Sequence, residues 1–316
     1  MVANVQSMAY TGEIPWHKKG VSIESAFTSA EAIEKAGLDW KVKKQEMYTT
    51  INGNSILVPR KYANVRDDDG AILGTVGEVY KPLQNHDAFE FFDAVVGQKL
   101  AIYHTAGCLG VGEKVWMLAK LPGYIQVKGN DITEKYLLLT NSHDGSTPVQ
   151  VLFTPIRVVC QNTLNIALQG TNQIKMRHSS LMMSKWESVR DLIGIVNAQY
   201  ISFEESAKAM ADRMLKGAEV NAFLNKVFKI NADEKMATRT INILGEVESL
   251  FVSGRGNTEA GIKGTAWAAF NAVTEYVDHY RTSKGENRDK SALFGSGQEL
   301  KQRAWDESLV LVRKAA

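Results

Sequence analysis

The chain contains few of the residues that cross-link or anchor a fold. Its 316 residues include two cysteines, Cys108 and Cys160, too few by themselves for a disulfide scaffold or a thiolate zinc site. No stretch approaches the roughly 18 consecutive apolar residues of a membrane-spanning helix. Residues 1–20 also lack the apolar centre of a signal peptide. We therefore expect a cytoplasmic protein without a membrane segment.

The common catalytic signatures are also missing. The sequence contains no Cys-x-x-Cys, His-Glu-x-x-His or Gly-x-Ser-x-Gly motif. The nearest match to a phosphate-binding loop is residues 256–265, where Ile262 occupies the position after the second glycine that the phosphate-binding lysine requires. We predict a glycine-rich loop before a helix at this point. The expected protein has no catalytic residues, no metal and no cofactor, and it does not use ATP.

The distribution of proline divides the chain. All six prolines lie before residue 156, and because proline interrupts helices, the remainder is free to form long ones. Hairpin-type turns punctuate the first half, at Asn52-Gly53 and at Asp69-Gly70. These patterns predict an α+β protein with an α+β core domain at residues 1–180, the candidate for nucleic-acid binding. A helical domain at residues 181–316 would serve packing or oligomerisation.

The first half is typical of a β-β-β-α core, an antiparallel β-meander with packed helices. Capping and spacing predict helices at 28–36 and 86–96 around strands at 40–51, 55–66 and 71–80. Four shorter strands are expected at 114–121, 124–128, 136–141 and 149–154. The second half is predicted to be mostly helical, with segments at 185–198, 202–216, 218–228, 234–252, 260–281 and 298–314.

Two patterns in the helical half predict specific features. Ser202 and Glu205 have the spacing of a capping box, which predicts that a helix begins there. An aromatic and apolar stripe recurs near helical spacing and is predicted to form core or a subunit contact. Its members are Trp267, Phe270, Tyr276, Val277 and Tyr280.

Local charge is more informative than net charge. The chain has 37 basic and 35 acidic residues, for a formal charge of +2. Between residues 41 and 66 the one acid is Glu46, and residues 145–186 contain none. Such windows can bind a polyanion on a nearly neutral protein, although solvated surface is the alternative interpretation. The predicted nucleic-acid-binding residues are Lys41, Lys43, Lys44, Arg60, Lys61, Arg66, Arg157, Lys175 and Arg177.

One short motif suggests different chemistry. Ser142-His143-Asp144-Gly145 follows a predicted strand and offers polar groups that a hydrolase or nuclease site would use. The alternative is a β-turn in which Asn141 and Asp144 cap backbone groups.

Seven blocks of the sequence are distinctive enough to compare with known families. Two of them are Asn85-His-Asp-Ala-Phe-Glu-Phe-Phe-Asp93 and Gly264-Thr-Ala-Trp-Ala-Ala-Phe-Asn-Ala-Val-Thr-Glu-Tyr276. The others are residues 14–17, 62–70, 138–145, 154–165 and 291–295. Together these blocks resemble a phage- and plasmid-borne protein family of unknown function. The resemblance covers nearly the whole chain and implies no chemistry, because that family has no assigned function.

A looser resemblance concerns residues 28–97. Their order of helix, Gly37-Leu-Asp-Trp40, meander and helix is similar to the core of the single-strand annealing proteins. That likeness implies an aromatic residue at the start of the first strand, basic residues along the hairpin, and rings or filaments that assemble without ATP.

The leading hypothesis is therefore a single-stranded DNA-binding protein of a phage or mobile element that promotes strand annealing in recombination. Basic side chains would hold phosphates in a groove shared between subunits of a homo-oligomer. Trp40 or Tyr62 would either stack on bases or be buried. The alternatives are a non-enzymatic protein that interacts with a host or replication partner and a metal-dependent hydrolase or nuclease.

Overall fold

The structure is a computed structural model. It describes residues 5–10, 21–23, 28–97, 101–157, 162–163, 174–176, 189–231, 236–281, 291–292 and 295–313. The strands are β1 (Val5–Tyr10), β2 (Val21–Ser22), β3 (Val42–Ile51), β4 (Asn54–Arg66), β5 (Ile72–Gly77), β6 (Ile102–Leu109), β7 (Lys114–Lys128), β8 (Asp131–Ser142), β9 (Val149–Phe153), β10 (Ile156–Arg157), β11 (Asn162–Thr163) and β12 (Ile174–Met176).

The helices confirm the predicted α+β class, with antiparallel strands first and a mostly helical remainder. They are α1 (Ser29–Lys35), α2 (Asn85–Gly97), α3 (Val189–Asp212), α4 (Gly217–Val227), α5 (Thr238–Ser253), α6 (Ala266–Glu275) and α7 (Ser296–Arg313), and a π-helical segment (Tyr276–Tyr280) follows α6.

The predicted meander forms a three-stranded sheet in the order β3-β4-β5. Asn52 and Gly53 both have positive φ, 51° and 81°, as the two-residue turn between β3 and β4 requires. Thr28 caps α1, and its hydroxyl and backbone N–H are answered by Glu31 in a capping box. Short-range turn and cap chemistry therefore defines this part of the fold.

The second sheet has nine strands, and most of it follows the order β11-β10-β8-β7-β6-β1-β2. The sequence patterns missed β1 and β6, which pair with each other antiparallel. They also predicted a break at Pro122-Gly123, whereas β7 runs through both residues. Pairing of β7 with β6 ends at Lys120, so the missing N–H of Pro122 removes no hydrogen bond on that side.

Helix α3 corrects a second prediction. It continues through Ser202, so no helix begins there and the capping-box interpretation is wrong. Tertiary contacts keep this stretch helical, because Tyr200 and Phe203 are both buried on it. The Tyr200 hydroxyl donates to the carbonyl of Tyr136 and accepts from its N–H, both at 2.6 Å. A local capping signal is weaker than this buried anchor.

The helical part has an aromatic core. Phe203 stacks on Trp305 with ring centroids 5.2 Å apart, while Trp267 and Phe270 approach these rings edge-on at 6.0 and 5.3 Å. All four side chains are fully buried. Four members of the predicted stripe are indeed core, and the fifth, Tyr280, is 45% exposed.

The chain divides into two compact units, each built from more than one stretch of sequence. The first comprises residues 1–122, 137–152 and 172–194, and the second comprises residues 123–136, 153–171 and 195–316. Strands β7 and β8 contribute residues to both units. Among the described residues, the helices fall short of the length and apolar character that crossing a bilayer requires.

The π-helical segment is held by a buried ion pair. The ammonium of Lys301, on α7, is 2.9 Å from the carboxylate of Asp278, and the two side chains are 0% and 9% exposed. A buried pair of this kind adds little net stability compared with apolar packing, but removing one partner leaves the other charge desolvated.

We expect Lys301→Met to lower the free energy of unfolding by about 3–5 kcal/mol, because Asp278 loses its buried cation. Urea denaturation at neutral pH measures the change. The matched control is Lys208→Met, which removes the partially exposed pair with Glu204 and should cost less than about 1 kcal/mol. Equal losses in the two variants would contradict the assignment.

Candidate nucleic-acid interface

The three-stranded sheet has one covered face. The amide nitrogen of Asn64 donates to the His143 carbonyl at 2.6 Å, and the hydroxyl of Tyr80 donates to the Ser142 carbonyl at 2.8 Å. A Cβ added to Gly74 would lie 2.5 Å from the Cα of Asp144, so the sheet and this turn approach as closely as a glycine permits. The face that carries Asn64 therefore lies against the end of β8.

The opposite face of the sheet is open and basic. Because strand residues alternate, Lys41 and Lys43 lie on the side opposite Asn64, as does Lys61 on β4. All three lysines are exposed, and the Lys43 side chain remains 65% exposed although it pairs with Asp67 at 3.7 Å. Lys43 lies opposite Val65, which places it about 13 Å along the strand from Lys61. We call this surface the open face.

A bulge next to Lys61 carries a fourth exposed cation. Glu46 pairs with Tyr62 but Tyr48 pairs with Leu57, so residues 58–61 of β4 lie opposite Met47 alone. Arg60, in this bulge, has φ of 58°, a left-handed conformation that arginine rarely adopts. Its side chain is exposed. Within the described residues, no carboxylate forms an ion pair with Lys41, Arg60 or Lys61.

Beyond the bulge, residues 47–58 form a two-stranded extension that we call the arm. Strand β5 pairs only with residues 61–65 of β4, so it does not reach the arm. Tyr48 and Leu57 are paired on one face, and Ile51 and Ile56 lie on the other. These four side chains are 44–59% exposed. The arm therefore presents apolar groups to solvent on both faces.

Two of the predicted binding residues serve internal contacts. The ammonium of Lys44 donates to the carbonyls of Gly77, Glu78 and Tyr80 at 2.6–3.2 Å, and it lies over the ring of Tyr62 at 4.4 Å. These contacts connect β3 to the end of β5 and the residues after it. Because its three N–H groups are directed at carbonyls, Lys44 has little capacity left for a phosphate.

Arg66 is more deeply engaged. Its side chain is 7% exposed, lies over Trp40 at 4.6 Å and donates to the carboxylate of Asp68 and the carbonyl of Val111. Burial disfavours its charge, but Asp68 and Asp69 outweigh burial and raise the pKa of Arg66 above its ordinary value. Trp40, 5% exposed, is buried and not available to stack on a base.

The second basic window is not brought to this surface by any described contact. Arg157 belongs to β10, which pairs with β8 and β11, and Lys175 belongs to β12, which pairs with β9. The side chains of both lie outside what the structure describes, and so does Arg177 entirely. The candidate interface therefore consists of Lys41, Lys43, Arg60 and Lys61.

The motif at residues 142–145 forms a turn in the protein interior. His143 is fully buried, its ring bonds to the side-chain oxygen of Asn85 at 2.9 Å, and it packs against Trp40. A histidine without access to solvent is poorly placed to activate water. Asp144 accepts hydrogen bonds from Ser142 and from the backbone N–H of Ser146. These contacts favour the structural interpretation of the motif.

The surroundings of Asp144 predict a contribution to stability that is lost in acid. Burial disfavours its ionised form, but hydrogen bonds from Ser142 and Ser146 and the charge of Lys114 outweigh burial and hold its pKa below the ordinary carboxyl value. A carboxyl with a depressed pKa contributes stability above its unfolded-state pKa, and that contribution is lost as the pH falls through the folded-state value.

We predict that Asp144→Asn reduces the fall in unfolding free energy between about pH 6 and about pH 3, where the native carboxylate of Asp144 would lose its hydrogen bonds. Urea unfolding at a series of pH values measures this. Asp39→Asn, at an exposed position, is the control. An unchanged pH profile in Asp144→Asn would contradict the assignment.

The glycine-rich loop and α2 carry two further groups of polar atoms. In the glycine-rich loop, the amides that begin α6 are already bonded, with Ala266 donating to the Arg213 carbonyl and Ala268 to the hydroxyl of Thr265. This loop therefore offers no free phosphate cradle at those amides. In the described part of the chain, His86, Asp87 and Glu90 form one group with metal-ligand spacing, but all three are exposed on α2 and we assign them no metal.

The apolar arm was missed by the sequence analysis. The sequence does carry a sign of the arm, because residues 47–59 contain no charged side chain although they lie between two basic clusters. A strand without charged residues is normally predicted to be buried. The arm is exposed because β5 pairs with residues 61–65 of β4 and does not extend alongside the arm.

The fold and this surface define an α+β protein with an open basic sheet face. The chain belongs to the family described as Domain of unknown function (DUF932), whose model matches residues 72–305. No curated protein and no solved structure matches the chain. The open face and the arm lie mostly outside the matched range.

Proposed function

We propose that this protein binds single-stranded DNA on the open face and promotes annealing of complementary strands without ATP. The observation that carries the proposal is the set of four exposed cations, Lys41, Lys43, Arg60 and Lys61, of which Lys43 pairs with Asp67. Clustered cations on one face attract a phosphate backbone even when the net charge is near zero.

The shape of the surface favours a single strand over a duplex. A helix that could enter a major groove is not part of the open face, which is formed by strands. Holding the strand by its phosphates leaves the base edges free to pair, which is the requirement for annealing.

The proposal predicts salt-sensitive binding. On a single strand, each phosphate contact contributes about −0.7 to the slope of log binding constant against log salt concentration. Contact with four phosphates should therefore give a slope of about −3. The double variant Lys43→Gln/Lys61→Gln should reduce the slope by about 1.4 and weaken binding. Fluorescence anisotropy with a labelled oligonucleotide measures both quantities.

The matched control is Lys35→Gln/Lys81→Gln, which removes two exposed lysines outside the open face and should leave the slope unchanged. Annealing of complementary oligonucleotides without ATP is then followed for all three proteins. Absent or salt-independent binding by the unmodified protein would refute the proposal, as would equal effects of the two double variants.

A specific observation favours a second role for the same region, self-association through the arm. The arm carries apolar side chains on both faces and no charge, so a second copy meets no electrostatic repulsion there. An isolated two-stranded hairpin is marginally stable in water, and pairing with another arm would provide it with further strands. A shared assembly would also lengthen the basic surface.

We expect the unmodified protein to form oligomers and Ile51→Thr/Ile56→Thr to shift them toward monomer, because one apolar face of the arm is removed. Sedimentation velocity at several concentrations measures this, and Thr50→Ser/Ser55→Thr is the control on the polar positions. A monomer at every concentration would contradict self-association and favour interaction with a host or replication partner.

The wider setting belongs to the same proposal. A phage or mobile-element origin, the likeness to single-strand annealing proteins and a cytoplasmic location are hypotheses that accompany the DNA-binding function. Observed binding and annealing would support these hypotheses. If the protein neither binds nor anneals single-stranded DNA, the main argument for them is lost.

A further inference from the structure

An open cavity of about 460 Å³ lies in the second unit, between α5 and the π-helical segment. This volume is within the range of small-molecule sites, about 300–1,000 Å³. Its lining residues all belong to these two elements: Arg239, Asn242, Ile243, Glu246, Tyr276 and Tyr280.

The face of α5 that lines the cavity is mostly polar, whereas a helix face that packs into a core is apolar. Arg239, Asn242, Ile243 and Glu246 have the i, i+3, i+4, i+7 spacing of one helix face, and the three polar residues are exposed. At a rise of 1.5 Å per residue, the α-carbons of Arg239 and Glu246 are about 10 Å apart along the helix. The cavity therefore has a cationic end, an anionic end and an amide between them.

The opposite wall is the π-helical segment, which an ion pair with α7 holds in place. The Arg281 N–H donates to the carbonyl of Tyr276, five residues earlier, at 2.7 Å. Such π-turns are rare in proteins, and those that occur are often found at functional sites. Asp278 is fixed by Lys301 and therefore holds the segment from α7. Tyr276 and Tyr280 line the cavity, with 7% and 45% of their surface exposed.

The charged groups act on the same tyrosine. Burial raises the pKa of the Tyr276 hydroxyl, Arg281 and Arg239 lower it, and Glu246 raises it. Both ends of the α5 wall are thus within electrostatic reach of the aromatic wall.

We propose that this cavity binds a guanosine monophosphate-type nucleotide, with the phosphate at Arg239, the base edge at Glu246 and the base against a tyrosine ring. A carboxylate is an acceptor only, and guanine presents two adjacent N–H donors on its pairing edge. Adenine presents one donor beside an acceptor nitrogen, which would face the carboxylate unfavourably. Asn242, between the two ends, can donate to the guanine carbonyl oxygen.

Calorimetric titration of the full chain tests this site with guanosine monophosphate, adenosine monophosphate and guanosine. The first should bind saturably, and the other two about tenfold more weakly, because each lacks one charge-assisted hydrogen-bonded contact. Glu246→Gln should abolish the preference for guanine over adenine, and Arg239→Gln should make the nucleotide bind no better than guanosine.

The controls lie on exposed positions outside the cavity. Glu248→Gln is on the same helix and Arg313→Gln is at the end of α7, and both should bind like the unmodified protein. Thermal melting verifies that each variant is folded. No saturable binding of guanosine monophosphate, equal affinity for the adenine nucleotide, or equal losses in the control variants would overturn the proposal.

The outcome is separable from that of the DNA-binding proposal. The open-face variant Lys43→Gln/Lys61→Gln should retain nucleotide binding, and Glu246→Gln should retain salt-sensitive binding of single-stranded DNA. Loss of nucleotide binding in the open-face variant would contradict a site in the cavity.

Discussion

The packing of the three-stranded sheet on the turn after β8 determines which residues of the first unit reach solvent. Asn64 bonds to the His143 carbonyl, His143 bonds to Asn85, and Gly74 permits contact with the backbone of Asp144. A one-residue shift in strand register would exchange the two faces of the sheet, and it would bury lysines where Asn64 now lies. The open face exists because this polar contact makes one register far more favourable than its neighbours.

The same constraint separates cations with similar positions in the sequence. Lys43 and Lys44 are adjacent, yet Lys43 is on the open face and Lys44 bonds to three carbonyls near the end of β5. Arg66 is directed to the covered side, where Trp40 and Asp68 surround it. A basic window in a sequence therefore contains both charges available to a ligand and charges used in internal contacts. The alternation of side chains along the strand places the two kinds on opposite faces.

The two proposed sites occupy different parts of the family pattern. The open face and the arm precede or border the matched residues 72–305, whereas the cavity between α5 and the π-helical segment lies within them. The aromatic core of the second unit supports the cavity, since α6 contributes both Trp267 to that core and the residues leading into the π-turn. Burial of the Lys301–Asp278 pair then fixes the segment that presents the two tyrosines.

Local chemistry made much of the first unit predictable. The Asn52-Gly53 turn, the capping box at Thr28 and the meander strands follow from preferences that act over a few residues. Strands β1 and β6 were missed because their pairing joins residues about a hundred positions apart and leaves no periodic signal. Helix α3 was divided at Ser202 because a local cap signal does not report the buried bond from Tyr200 to Tyr136.

The sequence by itself determined the α+β class, the turns and the concentration of basic residues between positions 41 and 66, because composition and short-range spacing are properties of the chain alone. Only the tertiary structure decided that Lys41, Lys43, Arg60 and Lys61 are exposed, that Lys44 bonds to backbone carbonyls, that Arg66 is buried, and that the uncharged arm is exposed. The reason is physical. Exposure depends on which distant segment covers a strand, and that contact is set by packing and by hydrogen bonds between residues far apart in sequence.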